Sequence, residues 1–182
     1  MLTYDFRSSG VVKNALRIGR ALSDAGTAVE HWVCRAEGDL APEAACARVS
    51  SARSGTTRAP RDLDSLASIP ALSRMIRRVR PKVLLSAGNQ MHVHAALALR
   101  MTPRAARPRF VGRASNAIVA QSDRSPILSR LAGRAERFQF RAMDRVLAVS
   151  EELSDALSTL VGVDPAQVSF IPNGIDVDRV RA

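Results

Sequence analysis

The chain has no apolar run approaching the roughly 18–20 residues that would cross a bilayer. Its opening, MLTYDFRSSG, has neither the basic stretch nor the apolar core of a secretory signal. Both absences lead us to expect a soluble, cytoplasmic protein. Aromatic residues make up only 4% of the sequence, so the core must be built mainly from Leu, Val, Ile and Ala. Cysteine is scarce as well. Cys34 and Cys46 show no C-x-x-C spacing and no adjoining histidine cluster, which argues against a disulfide framework or a common zinc site and points to reduced thiols. Lysine is nearly missing: among 27 basic residues only Lys13 and Lys82 are not arginine. Acids are few too, at 17, leaving a net charge of +10. That balance favours anionic partners such as phosphates, nucleic acid or an acidic membrane surface. A GC-rich genome accounts for the preference for arginine over lysine, but not for the excess over acids.

What is present is a chain of 182 residues, 46% hydrophobic, about one domain long and able to bury a core. Strand and helix patterns alternate along it. Leu2 to Phe6 reads as a short strand, followed by the small turn Ser8-Ser9-Gly10. Val12, Ala15, Leu16, Gly19 and Leu22 then recur at helical spacing, with Gly26 placed to stop the helix. Ala28 to Cys34 is strand-like, and Ala47 to Ser50 is a doubtful further strand inside a polar, turn-rich stretch. Asp62 to Val79 predicts a helix with Leu63, Leu66, Ile69, Leu72 and Ile76 inward, which Pro70 kinks or divides. Lys82 to Asn89 is a strand running into a turn, followed by a short helix over Met91 to Leu99. After the strand Arg109 to Asn116, Ser125 and Pro126 are placed to open a helix burying Leu128, Leu131, Ala135, Phe138 and Ala142. A strand over Asp144 to Ser150 leads into a helix capped by Ser150, with Leu153, Ala156, Leu157 and Leu160 inward and Gly162 at its end. Val168 to Ile171 is the last strand. Strands separated by helices form βαβ units, so the expected fold is α/β, a Rossmann-like doubly wound parallel sheet with helices on both faces.

In such sheets ligands bind beyond the carboxyl ends of the strands. Four loops there draw notice. RSSG, ahead of the first helix, is small enough for a ligand to approach the backbone, and helix-terminal N–H groups suit an anion. A plain turn is an equal reading, and the absence of G-x-G-x-x-G and of an acid ending the second strand disfavours a dinucleotide site. In SAGNQMHVH, His92 and His94 stand about 200° apart on a helix and so do not chelate one metal. A surface role for His92 outweighs ligand contact, though its place near the helix start allows contact. GRASN offers Arg113, Ser115 and Asn116, either for an anion or as loop anchors. In VSEE, Ser150 is most economically a cap. Arg130, Arg134, Arg137 and Arg141, spaced 4, 3 and 4, share one helix face, and Arg100 to Arg113 holds five arginines and no acid. These form either a solvated outer face or a surface for an anionic membrane. Nucleic acid ranks lower, because no aromatics are interleaved for stacking.

Two long stretches carry a resemblance. SSGVVKNALRIGRALSDAGTAVEHWV is similar to the opening of family 4 glycosyltransferases, and MDRVLAVSEELSDALSTLVGVDPAQVSFIPNGID is similar to that family's pattern running through IPNG. The resemblance covers essentially all 182 residues, but only the family's N-terminal half. It implies a GT-B fold, two Rossmann-like domains facing across a cleft. Residues 1–171 would be the acceptor-side domain and 172–182 the start of the linker to a donor-binding domain that this chain does not include. It implies sugar transfer from a nucleotide-diphosphate donor to a glycan or lipid-linked acceptor, with no cofactor and no metal. Ser9 and Gly10 would approach the donor diphosphate, while Asn89, His92, Arg113 and Asn116 would lie on the acceptor side. Many relatives have a histidine after the strand that here reads VGRASN, and this chain has none there, so no catalytic residue is named. The arginine face would meet the inner side of a membrane. The chain alone is expected to bind without turnover; the alternative is a non-catalytic binding or regulatory module of the same fold.

Overall fold

The structure, a computed structural model, describes residues 1–46, 48–51, 65–115 and 126–174, and the side chains of 45–51 and 126–132 lie outside that description. Among the described residues seven strands form one sheet: β1 (Leu2–Thr3), β2 (Glu30–Val33), β3 (Arg48–Ser51), β4 (Val83–Ser86), β5 (Arg109–Ala114), β6 (Arg145–Ala148) and β7 (Val168–Phe170). Their order is β3-β2-β1-β4-β5-β6-β7, and every neighbouring pair is parallel. The chain therefore winds outward from β1 in one direction, returns, and winds outward from β4 in the other. That reversal lies between β1 and β4.

The helices are α1 (Gly10–Asp24), α2 (Ile69–Val79), α3 (Asn89–Arg100), α4 (Pro126–Arg141) and α5 (Glu151–Ala156). Strand residues alternate between two cores. Leu2, Trp32, Leu84, Phe110 and Val146 belong to the larger one, with Leu72 and Ile76 of α2, Ala95 and Ala96 of α3, Phe140 of α4 and Leu153 of α5. Val33 joins Phe6, Leu40 and Ala44 in a smaller core with Val12 and Leu16 of α1. Burying each large side chain contributes about 1.5–3 kcal/mol.

The doubtful strand is real: β3 pairs with β2 over four residues, Glu30 opposite Arg48 through Val33 opposite Ser51. Pro70 divides its helix, for α2 begins at Ile69 with the proline in its first turn. Four inward assignments are corrected. Leu22 and Leu66 are exposed, and Ala135 faces out while Phe140 is fully buried. Leu160 is 61% exposed because the helix widens into a π turn over Leu157–Val161. The extra residue in that turn carries Val161 inward instead. Leu63, Leu128, Arg130, Leu131 and the Ser125 cap lie outside the described side chains. No helix among the described residues is long and apolar enough to cross a membrane.

Candidate functional site

A cleft of about 250 Å³ opens at the reversal point, beyond the carboxyl ends of β1 and β4. Its walls come from the loop after β1 (Asp5, Arg7, Ser8, Ser9), the loop after β4 (Gly88, Asn89, Gln90) and Ser115 at the end of β5. Two helices start at its rim. Ser9 is extended and its hydroxyl accepts the Val12 N–H at 3.3 Å, capping α1, so the cap that the sequence offers is made. Gly10 is the first residue of α1, and a Cβ built there would meet nothing within 4 Å. Gly88 precedes α3, and a Cβ there would meet Val11 Cγ1 at 2.6 Å, so only glycine lets the first turn of α1 pack this close. The rim thus presents the first turns of two helices side by side, an arrangement suited to negative charge.

The loop after β1 is pinned from beneath. Phe6 N–H donates to Glu37 O at 2.8 Å, and Leu40 N–H donates to Phe6 O at 3.0 Å. Gly38 sits between them at φ +130°, and a Cβ there would come within 2.1 Å of the Phe6 carbonyl carbon. Asp5 is buried: its Oδ1 accepts the Arg7 N–H at 3.2 Å, while its Oδ2 lies 3.4 Å from Arg7 Nε without forming a hydrogen bond. The Ser115 hydroxyl, also buried, has no hydrogen-bond partner among the described residues. Two residues lining the cleft therefore hold oxygens with capacity for a hydroxyl-bearing ligand. Asp5 has no signal in the sequence, where the first strand reads through to Phe6; β1 ends at Thr3 and leaves Asp5 in the loop beyond it.

Of the residues singled out in sequence, Ser9, Asn89 and Ser115 line this cleft, with Gly10 at its edge. Asn89 Oδ1 accepts the Ser115 N–H at 3.2 Å, tying the β4 and β5 ends together. His92 does not line the cleft. It is fully buried, neither at the surface nor at the rim, with Nδ1 2.8 Å from Ser86 Oγ and its ring edge-on to Phe140 at 6.0 Å. Burial lowers its pKa to about 4, against a smaller opposing effect of the Arg113 backbone, so it is neutral near pH 7. Arg113 is buried too, and burial lowers its pKa. Its Nη1 donates to Ala87 O at 3.4 Å and its Nη2 to Asn173 Oδ1. It thereby links the β4 end to the segment that follows β7. Asn116 lies outside the described residues. Ser150 caps α5, accepting the Leu153 N–H at 3.2 Å. Among the described residues no group of three His, Cys, Asp or Glu side chains could hold a metal.

Comparison with known proteins agrees with this architecture. No curated protein matches significantly. HepE of Anabaena, solved with UDP and glucose, superposes with a TM-score of 0.68 at 14% identity, over 97% of this chain and 44% of that one. HepE solved with UDP-glucose gives 0.66 at 17% identity, again over 97% and 44%. A glycosyltransferase from Rickettsia africae gives 0.67 at 13% identity, over 97% of this chain and 43% of the other. At such identities the likeness establishes the fold, and the chain spans less than half the length of each structure. The family model described as Glycosyltransferase Family 4 matches residues 8–179, nearly the whole sequence, and the chain therefore belongs to glycosyltransferase family 4.

Proposed function

We propose that this chain is the acceptor-side domain of a nucleotide-sugar-dependent glycosyltransferase. The observation that carries the reading is the cleft at the β1–β4 reversal, rimmed by the first turns of α1 and α3, in a chain of this family. In this reading the N–H groups at Gly10 and the α1 first turn approach the donor diphosphate, and basic side chains rather than a metal meet the remaining charge. Asp5, Asn89 and Ser115 face the acceptor, hydrogen-bonding the hydroxyls that position it. A donor-binding domain on the far side of the cleft holds the nucleotide, as the UDP in HepE leads one to expect. Transition-state stabilisation draws on both walls, so this domain alone binds without turnover. Cytoplasmic placement at the inner face of an anionic membrane completes the reading, with Arg134, Arg137 and Arg141 of α4 toward the headgroups.

Gly10→Val tests it, because the space around Gly10 is open and the fold has no need of the glycine there. Sugar transfer from nucleotide-sugar donors by the full two-domain protein is expected to fall about a hundredfold at an unchanged melting temperature, the scale of one lost stabilising donor. Unchanged transfer would remove the diphosphate from this rim. A family member without transfer, acting as a binding module, would instead show acceptor binding and no product with any donor.

A further inference from the structure

The larger concavity, a groove of about 910 Å³ at the amino end of the sheet, is lined by the α4 arginines that face the headgroups in the proposal above. The carboxyl end holds a different feature. Arg113 of β5 lies level with Leu147 of β6 and, through it, with Ser169 of β7. The β7 ladder ends with the Ile171 N–H donating to Ala148 O at 2.9 Å, and Pro172 has no N–H to continue it. Run on straight, the chain would carry Asn173 about 13 Å past Ser169 and leave it two strands, about 10 Å, to the side of Arg113. Instead Asn173 Oδ1 accepts from Arg113 Nη2, so the chain turns back over β6 toward the middle of the sheet. Gly174 follows, its carbonyl accepting from Arg17 Nη1 of α1 at 3.5 Å.

Both arginines also belong to the walls of the cleft. Arg17 stands two turns after Gly10 on the same face of α1. Arg113 Nη1 donates at 3.4 Å to the carbonyl of Ala87, the residue ahead of Gly88, where α3 is capped. Two residues past Arg113, the Ser115 N–H holds Asn89 Oδ1 at 3.2 Å. Residues 172–174 are thus tied to both of the helix starts that rim the cleft. Packing alone does not call for a cation in this place. Arg113 is 5% exposed, burial lowers its pKa, and among the described residues no carboxylate forms an ion pair with it. A buried guanidinium held by two neutral oxygens costs stability. What it supplies is reach, for its planar fork of donors can hold oxygens from two separate segments. We propose that Arg113 is a positioning residue, which transmits the placement of residues 172–174 to the start of α3 and so sets the width of the cleft. In the transferase reading above, on which this rests, the segment leads to the donor-binding half, and Arg113 aligns the acceptor wall with that half.

Amide exchange followed by NMR in the full chain tests the coupling without any need of activity. The reporters are Ala87, Met91 and Ser115, whose N–H groups are bonded to Leu2 O, Gly88 O and Asn89 Oδ1. Asn173→Ala removes only the far acceptor, and all three amides are expected to exchange about tenfold faster at an unchanged melting temperature. Faster exchange confined to the neighbours of residue 173 would overturn the coupling and leave a local tie. In the two-domain protein, kcat for sugar transfer should fall about tenfold in N173A and in R113Q with KM for the nucleotide sugar unchanged, and R113K should restore part of it. R113Q/N173A should be no slower than R113Q alone, since both act through one contact. Additive losses, or a rise in KM alone, would overturn the positioning role. Were the wild-type protein to give no product, the transferase reading would fail, and the exchange result alone would uphold or overturn the coupling.

Discussion

The two ends of this sheet are built on opposite plans. At the carboxyl end, short side chains and backbone groups close on a narrow cleft, with Gly38 and Gly88 in places no other residue fits. At the amino end, long arginines stand around a groove more than three times as large, over a floor of core residues. The first plan fixes positions and tolerates little change. The second sets a potential, which many side-chain arrangements can supply. One fold thus holds a site defined by geometry and a site defined by charge.

The sharpest way to break this contrast is Gly38→Ala. With φ at +130° and the Phe6 carbonyl carbon 2.1 Å from the added atom, the loop under Asp5 must move. Chemical denaturation should show a loss of about 3 kcal/mol or more; a loss below about 1 kcal/mol would mean that the cleft end is as tolerant as the groove end. Next in size is acidification. His92 and His31 each have a folded pKa lowered to about 4, chiefly by burial, against an ordinary 6.5. The unfolded chain binds more protons between those values, so stability should fall as pH drops from 6.5 toward 4. His92→Gln should flatten that slope, seen in melts across the range. A slope unchanged in the variant would place the proton uptake elsewhere.

Asp144→Ala comes third. It leaves the Phe110 N–H without its acceptor, which should cost about 1–3 kcal/mol by denaturant titration. The same loss is expected in Asp144→Asn only if the amide cannot turn its oxygen to that N–H. Ser150→Ala removes the α5 cap and should cost about 1 kcal/mol. Smallest of all is R137Q/R141Q, whose melting should shift by no more than about 0.5 kcal/mol in stability, because these exposed arginines have no ion-pair partners among the described residues. A large loss there would make the groove arginines part of the scaffold and erase the difference between the ends.

The fold was legible because each βα unit announces itself locally, through apolar periodicity and a cap. Where neighbours decide, sequence reading stopped short. The strand Arg48–Ser51 is polar and owes its state to pairing with β2. Leu160 obeys helical spacing, yet one added residue in the π turn moves it outward. His92 looks like a surface or rim histidine until Ser86 of β4 and Phe140 of α4 are brought against it. Of the site, the capped start of α1 was readable at Ser9, and the polar turn after β4 at Asn89, which holds the Ser115 N–H. Asp5 was not, since its burial depends on the loop pinned by Gly38, over thirty residues away. For Arg113 the sequence allows an anion ligand or a loop anchor equally, and its bonds to Ala87 and Asn173 are those of an anchor.

That last contact has a consequence for the order of assembly. The bond from Arg113 to Asn173 spans 60 residues of chain and joins a central strand to the segment after the edge strand β7. Closing so long a loop comes late in folding, because it waits on the elements between the two residues. Arg17 adds a weaker bond, at 3.5 Å, to the Gly174 carbonyl. Residues 172–174 are therefore among the last to be seated as the domain forms and among the first to be released as it opens, and the amide protons of Asn173 and Gly174 should exchange well before those of β5.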